Sequence, residues 1–357
     1  MNVDYAMVGG FLCGALAGGG ARYGRLCSMS AIEDALVGGD YRGAKAWGLA
    51  VATAGLATTV LAGFGLVSLE TSHLLGTNMH LAGIVVGGVL FGIGMTLVGT
   101  CSFGLLVRAG GGDLRALVSA IFVGVFAYAV TAGVLGPVRD VALMVGNVDV
   151  SLLGRASIDR LIGLVIGTEA SQACVVGGLV LLAGLAVADK RLLRRPRLMI
   201  SAILVGFAVA GGWLATSLAV EEMAASRVES LSFVAPAGRA LLQFMALPFR
   251  DVSFGVSSIV GAGMASFAVA LAKRELRWEA FDDAREMRRH LGGAALMGVG
   301  GVLAQGCTVG QGLTAASALA LSAPVFVLAV LFGAQAGLKF LIEGTALWRL
   351  GFSPRAD

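Results

Sequence analysis

"FGIGMTLVGTCSFG" (Phe91–Gly104) and "MGVGGVLAQGCTVG" (Met297–Gly310) are two copies of one pattern in a single chain. In register, Gly92 falls on Gly298, Gly94 on Gly300, Cys101 on Cys307, Ser102 on Thr308 and Gly104 on Gly310, at a constant offset of 206 residues. Each copy is an apolar, glycine-rich run that is interrupted at a cysteine. The chain therefore contains an internal repeat, and the nature of the repeated unit follows from its composition.

Of 357 residues, 57% are hydrophobic and only 13% charged, with a mean hydropathy of +0.87. Soluble domains carry about a quarter of their residues as charges, so this is an integral membrane protein, all-α and polytopic. Glycine, at 54 residues, suits close helix contacts and helix breaks alike. Apolar runs that can each cover the about 20 residues of a bilayer crossing begin near residues 5, 46, 80, 115, 160, 198, 252, 291 and 322, which gives about nine transmembrane helices. No cation precedes the first run, and Arg22 and Arg25 follow it. It is expected to stay in the mature protein, with the N-terminus in the periplasm.

Short loops rich in Lys and Arg stay in the cytoplasm. The clearest are "DKRLLRRPR" (Asp189–Arg197) and "KRELRWEAFDDAREMRRH" (Lys273–His290), separated by two spans. Counting outward places Arg42 and Lys45, Arg108 and Arg115, and Arg349 and Arg355 on the same side, with a cytoplasmic C-terminus. Segments 69–79, 137–158 and 221–251 then face the periplasm. On this count the span from about 80 to 100 runs inward and its partner from about 291 to 306 runs outward, so the repeat is inverted. The expected organisation is an N-terminal repeat over 1–136, a connector over 137–197 with one span near 160–187, and a C-terminal inverted repeat over 198–357. Inverted repeats are a transporter architecture, with the substrate site near the pseudo-twofold axis on broken or re-entrant helices. The run from Gly310 to Glu343 is too long for one straight span.

The hinges carry whatever chemistry there is. Gly99 ends the first helix and Gln305–Gly306 the second; the chain resumes at Ser102 or Thr308, residue types that favour the N-cap of a following helix. A helix that begins inside a bilayer points free N–H groups and its positive dipole end at what precedes it, which suits an anion. The alternative is that Cys101 and Cys307 are small buried hydrophobes at a tight helix crossing. Arg22 and Arg25 offer fixed positive charge near one mouth, or serve as positive-inside anchors.

Three stretches are shared with a known family. They are "RYGRLCS" (Arg22–Ser28) followed by "GGD", then "GIGMTLVGTCSFG" (Gly92–Gly104), then "GVGGVLAQGCTVGQGLTAASALALSAPVFVLAVLFGAQAG" (Gly298–Gly337). In these the chain resembles the YeeE/YedE sulfur-transport family, whose members are thiosulfate uptake proteins or relatives associated with selenium metabolism. The resemblance implies a thiosulfate pathway lined by Cys27, Cys101 and Cys307 in the inner membrane, supplying sulfur for cysteine synthesis or sulfur transfer. It also implies a cytoplasmic TusA-like sulfur carrier or sulfurtransferase as the sink. Leu26 and Ser28 flank Cys27 where the family places an aromatic residue. Cys13 and Cys174 match no family motif and read as packing residues.

Thiosulfate is a dianion with one soft terminal sulfur, and thiols, which stay S–H in apolar surroundings, are weak donors to such an acceptor. Weak binding at several stations permits conduction. Two other readings stay open: transport of a selenium compound or another sulfur oxyanion, and a membrane sulfurtransferase that forms a cysteine persulfide. The chain carries no GxxxxGK[ST] loop and no CxxC, and His73, His80 and His290 show no ligand spacing. No cofactor, no metal and no nucleic-acid partner is expected; the partners are the lipid bilayer and the transported ion. Glu169, in "GTEASQACVVGG", is either a functional intramembrane carboxylate or an interfacial one.

Overall fold

The computed structural model describes residues 5–69, 71–150, 154–223, 227–246 and 252–343. In chain order its helices are α1 (Tyr5–Gly24), α2 (Ser28–Leu36), α3 (Arg42–Gly63), α4 (Leu81–Val98), α5 (Ser102–Ala109) and α6 (Leu114–Thr131). There follow α7 (Gly136–Met144), α8 (Ile158–Ile166), α9 (Thr168–Val187) and α10 (Lys190–Leu193). The second half comprises α11 (Pro196–Met223), α12 (Ala235–Ala246), α13 (Phe254–Ala272), α14 (Ala284–Leu303) and α15 (Ser322–Glu343). Among the described residues seven stretches are long and apolar enough to cross a membrane, and one of them, Leu81–Ala109, takes in both α4 and α5. The remaining two long helices are α1 and α14. α14 enters through the charged "AREMRRH" and packs on α4 and α6; α1 packs one face on α11 and α13 and leaves Leu12 and Leu16 exposed on the other.

The order long, short, long, long, short, long occurs twice: α1 to α6, then α11 to α14, a π-helical turn at Gly310–Ala315, and α15. Packing exchanges under the repeat. α1 lies on α13 and its counterpart α11 on α3; α15 lies on α4 as α6 lies on α14. The equivalent helices α4 and α14 cross each other antiparallel. A Cβ on Gly87 would stand 2.5 Å from the carbonyl oxygen of Gly300, and one on Gly300 would stand 2.5 Å from that of Gly87. Gly94 and Gly293, their partners at the offset of 206, show the same reciprocity at 2.5 and 2.7 Å. A contact that maps onto itself when the halves are exchanged is the mark of a twofold relation. The repeat is inverted, and the glycines are there because two backbones touch.

The loops sort by charge as the sequence predicts. At one end, Leu114 N–H donates to Glu279 O at 2.8 Å, Arg115 pairs with Glu286 at 3.2 Å and Lys273 Nζ donates to Tyr23 O at 2.8 Å. Lys45 pairs with Asp189 in the same layer. At the opposite end a short strand β1 (Asn78–His80) pairs antiparallel with β2 (Asn147–Asp149), joining segments 69–79 and 137–158.

One expectation needs correction. The connector's span starts later than residue 160: the chain breaks at Gly167, whose φ of +98° lies outside the helical region, and Ala170–Val187 is the stretch there that is long and apolar enough to cross. The side chain of Glu169 lies outside the described residues, as do Arg349 and Arg355. The run from Gly310 to Glu343 is divided into the π-helical turn and α15, with Ala316–Leu321 between them.

Candidate functional site at the paired hinges

α4 ends at Gly99 with φ +78°, and Gln305, its counterpart beyond α14, adopts φ +60°. Both copies thus turn through the left-handed region, although only the first has the residue that does so without strain. Gly306 follows, and a Cβ there would meet the Gln311 nitrogen at 3.0 Å.

The cap of the next segment falls one residue earlier than the sequence suggests. Cys101, extended at φ −85°, is the N-cap of α5, and its Sγ accepts the Gly104 N–H at 3.4 Å. Cys307 Sγ accepts the Gly310 N–H at the same 3.4 Å. The cysteines cap, so Ser102 and Thr308 do not. Ser102 Oγ is buried and without a partner among the described residues, and Thr308 Oγ1 accepts from Ser28 Oγ at 3.5 Å. The second hinge also leads into a wider coil than α5. Thr314 N–H reaches back five residues to Val309 O at 2.8 Å, a π-type bond of the kind found often at functional sites. Gln311, fully buried in this turn, is held by Ala304 O at 2.9 Å and by Ser322 Oγ at 3.0 Å.

The loop after α1 meets both hinges. Cys27, the N-cap of α2, lies 3.6 Å from Thr100 Oγ1, and Ser28 Oγ also approaches Met95 Sδ at 3.7 Å. The Cys101 thiol faces Ser28, Thr308 and Cys27. Five small groups, Cys27, Ser28, Thr100, Cys101 and Thr308, thus form a polar cluster in an apolar bundle, with Cys307 buried in the residue before Thr308. Ser28 and Thr100 escaped sequence reasoning, although each adjoins a cysteine that the motifs single out.

Above Cys27 and Thr100 a cavity of ≈ 490 Å³ opens toward the basic end, walled by Arg22, Arg25, Arg108, Arg274, Arg277 and Glu275. Arg108 donates to Gly99 O at 3.1 Å, so one of these arginines holds the hinge itself. Glu275 pairs with Arg25 at 3.2 Å and with Arg22 at 3.8 Å, which leaves the other three guanidinium groups without that carboxylate. Arg22 and Arg25 therefore line this cavity. Arg108, Arg274 and Arg277 had no signal in the sequence beyond their place in basic loops. Of the remaining cysteines, Cys13 packs against the core beside Gly211, as expected. Cys174 is exposed on α9, which corrects its assignment as a packing residue.

Residues 23–336, from the arginine-flanked first loop through both hinges to the middle of α15, match the sulphur-transport family. The chain belongs to that family. A thiosulfate transporter TsuA of Escherichia coli K12 is 25% identical over 365 aligned residues, covering 98% of this chain and 96% of that protein. A thiosulfate transporter TsuA of Spirochaeta thermophila is 35% identical over 127 residues, covering 35% of this chain and 36% of that protein. This sulphur-transport protein is thus related along its whole length to a transporter, with its two cysteine hinges inside the matched region.

Proposed function

We propose that this sulphur-transport protein carries intact thiosulfate into the cytoplasm through the cluster at its paired hinges and is not an enzyme. The observation that carries the reading is the convergence of two cysteine-capped hinges and Cys27 beneath an arginine-walled cavity. The full-length relative named as a thiosulfate transporter supports the substrate.

The basic end is the cytoplasmic one by the positive-inside rule, which sets the N-terminus in the periplasm and the C-terminus in the cytoplasm. Residues 1–136 and 198–357 then act as opposed halves about the connector at 137–197. The ion meets the thiols of Cys101, Cys307 and Cys27 and the hydroxyls of Ser28, Ser102, Thr100 and Thr308, of which Cys27, Ser28, Thr100, Cys101 and Thr308 form the polar layer that interrupts the apolar bundle. Gly99, Gln305 and Gly306 shape the two turns that bring the thiols inward. On the cytoplasmic side the arginines compensate for the ion's lost hydration and draw it off the cysteines.

Inward movement of a dianion against an inside-negative potential costs about 5 kcal/mol per 100 mV. Accumulation then depends on consumption, and a TusA-like sulfur carrier or a sulfurtransferase at the arginine-walled mouth supplies that sink.

The reading is tested in a host that lacks its own thiosulfate uptake and is given thiosulfate as sole sulfur source: expression restores growth, and failure to do so with protein in the membrane rejects it. Reporter fusions are expected to place Met1 in the periplasm and Asp357 in the cytoplasm. A cytoplasmic Met1 would contradict the orientation. Replacing Arg108 and Arg277 by glutamine is expected to lower the maximal rate about tenfold, or about 1.4 kcal/mol, and to flatten the salt dependence of uptake. An unchanged rate and salt profile would remove the arginines from the pathway.

A further inference from the structure

At the end opposite the arginine-walled cavity lies a second cavity of ≈ 520 Å³. It is bordered by the C-terminal part of α3, the segment that leads into α8, the start of α9 and the turn around Leu319. Ser68 and Leu69 on its wall stand at the offset of 206 from Arg274 and Glu275 on the wall of the other cavity, whereas Arg155, Ser157 and Asp159 come from the connector and have no counterpart there. We propose that this outer cavity is an oxyanion station, held by Arg155, Ser157 and Thr58, that takes sulfate and thiosulfate alike.

Three residues on its wall each carry a buried polar side-chain atom without a partner among the described residues. Thr58 is fully buried and its Oγ1 has no partner among the described residues, whereas Thr53 and Thr59 on the same helix return their hydroxyls to the carbonyls four residues back at 2.7 and 2.8 Å. Ser157 is 1% exposed. It is the N-cap of α8, where a serine normally accepts a backbone N–H, yet its side chain makes no cap bond and has no other partner among the described residues. Among the described residues Arg155 Nε is likewise buried and unpartnered, and the carboxylate its Nη2 approaches is that of Asp159, at 3.8 Å. A buried polar atom left unmade is costly, and three in one cavity share one explanation: a ligand that accepts from all of them.

The donors are also held in place. Ile158 N–H donates to Leu319 O at 2.8 Å and Leu321 N–H to Ala156 O at 3.0 Å, which stitches the arginine-bearing segment to the chain after the second hinge. The same device at the other mouth is the bond from Leu114 N–H to Glu279 O. Each mouth thus has a loop bridged to the segment beyond a hinge, with an arginine beside it.

The chemistry of the donor set decides the ligand class. Guanidinium and hydroxyl groups recognise charge and oxygen, and no cysteine lines this cavity. A tetrahedral oxyanion satisfies all three donors through its oxygens, whether its remaining corner is oxygen or sulfur. Discrimination is then left to the cysteine cluster deeper in. The place of the station on a transport route rests on the proposed function; its binding of an anion does not.

The test is calorimetric titration of the purified full chain in detergent with sodium sulfate at constant ionic strength. It uses a background of Arg108→Gln and Arg277→Gln so that the inner mouth contributes little. One sulfate site is expected. Arg155→Gln, and separately Thr58→Val with Ser157→Ala, each weaken it at least tenfold, while Cys13→Ala, a packing change on α1, leaves it unchanged. Asp159→Asn, which removes the one carboxylate that competes for Arg155, tightens it about threefold, a gain that misfolding cannot mimic. Absence of sulfate binding in that background, or an affinity unmoved by the Arg155 and Thr58/Ser157 changes, overturns the station. If the sulfate site follows these substitutions while cells expressing the protein take up no thiosulfate, the station stands and the transport reading fails.

Discussion

Cys101→Ser and Cys307→Ser are each expected to lower thiosulfate uptake about 100-fold or more, equivalent to about 2.7 kcal/mol, with normal amounts of protein in the membrane. Serine is the informative replacement because both cysteines cap a following segment through Sγ at 3.4 Å. A serine hydroxyl caps at least as well. The turn therefore survives, and what is lost is the soft, polarizable donor that the proposed function sets against the terminal sulfur of the ion. Cys13→Ala and Cys174→Ala are expected to transport at the wild-type rate, the first being a packing residue and the second exposed on α9. Uptake is measured in cells with radiolabelled thiosulfate and normalised to membrane protein. Wild-type uptake by both serine variants would reduce the cysteines to caps and packing.

The second large effect is on folding. Gly300→Leu is expected to abolish accumulation of the protein in the membrane, and Gly300→Ala to destabilise it by about 3 kcal/mol. The added Cβ would lie 2.5 Å from Gly87 O and 2.7 Å from the Phe91 nitrogen, both backbone atoms that no rotamer change can move. Because Gly87, Gly94, Gly293 and Gly300 form two reciprocal contacts on the central crossing, separating α4 from α14 displaces both hinges at once. Gly292→Ala is the control on the same helix: nothing lies within 4 Å of its Cβ, and loss of glycine from a helix stabilises by about 0.5–1 kcal/mol. The midpoint of thermal unfolding in detergent reads both. Equal midpoints for the two alanine variants would contradict the close crossing.

The offset that pairs Cys101 with Cys307 carried most of the architecture, because a repeat with an odd connector between two basic loops leaves few arrangements in a membrane. The partition of loops between the two ends was legible for the same reason: charges that stay on one side meet one another there, as Arg115 meets Glu286 and Lys273 meets Tyr23 O. Local backbone choices were not legible. Nothing about Gly167 distinguishes it, among 54 glycines, as the one that breaks the connector. Ser102 and Thr308 are better capping types than cysteine, yet the turn geometry puts Cys101 and Cys307 at the capping position. The π-helical turn depends on Gln311 finding Ala304 O and Ser322, contacts that no periodicity encodes. The arginine wall was visible only as topology: Arg108 and Arg277 lie 169 residues apart in the chain and meet only because Glu279 and Arg277 bridge back to Gly111, Gly112 and Leu114.

The central claim is that the ion crosses whole. Purified protein in liposomes, with thiosulfate labelled in its terminal sulfur and in its oxygens supplied outside, tests it most directly. The labels recovered inside are expected to keep their supplied ratio, as intact thiosulfate, and to require both Cys101 and Cys307. Terminal sulfur inside without its oxygens, or sulfur held on the protein as a cysteine persulfide with sulfite left outside, would contradict transport and make this a membrane sulfurtransferase.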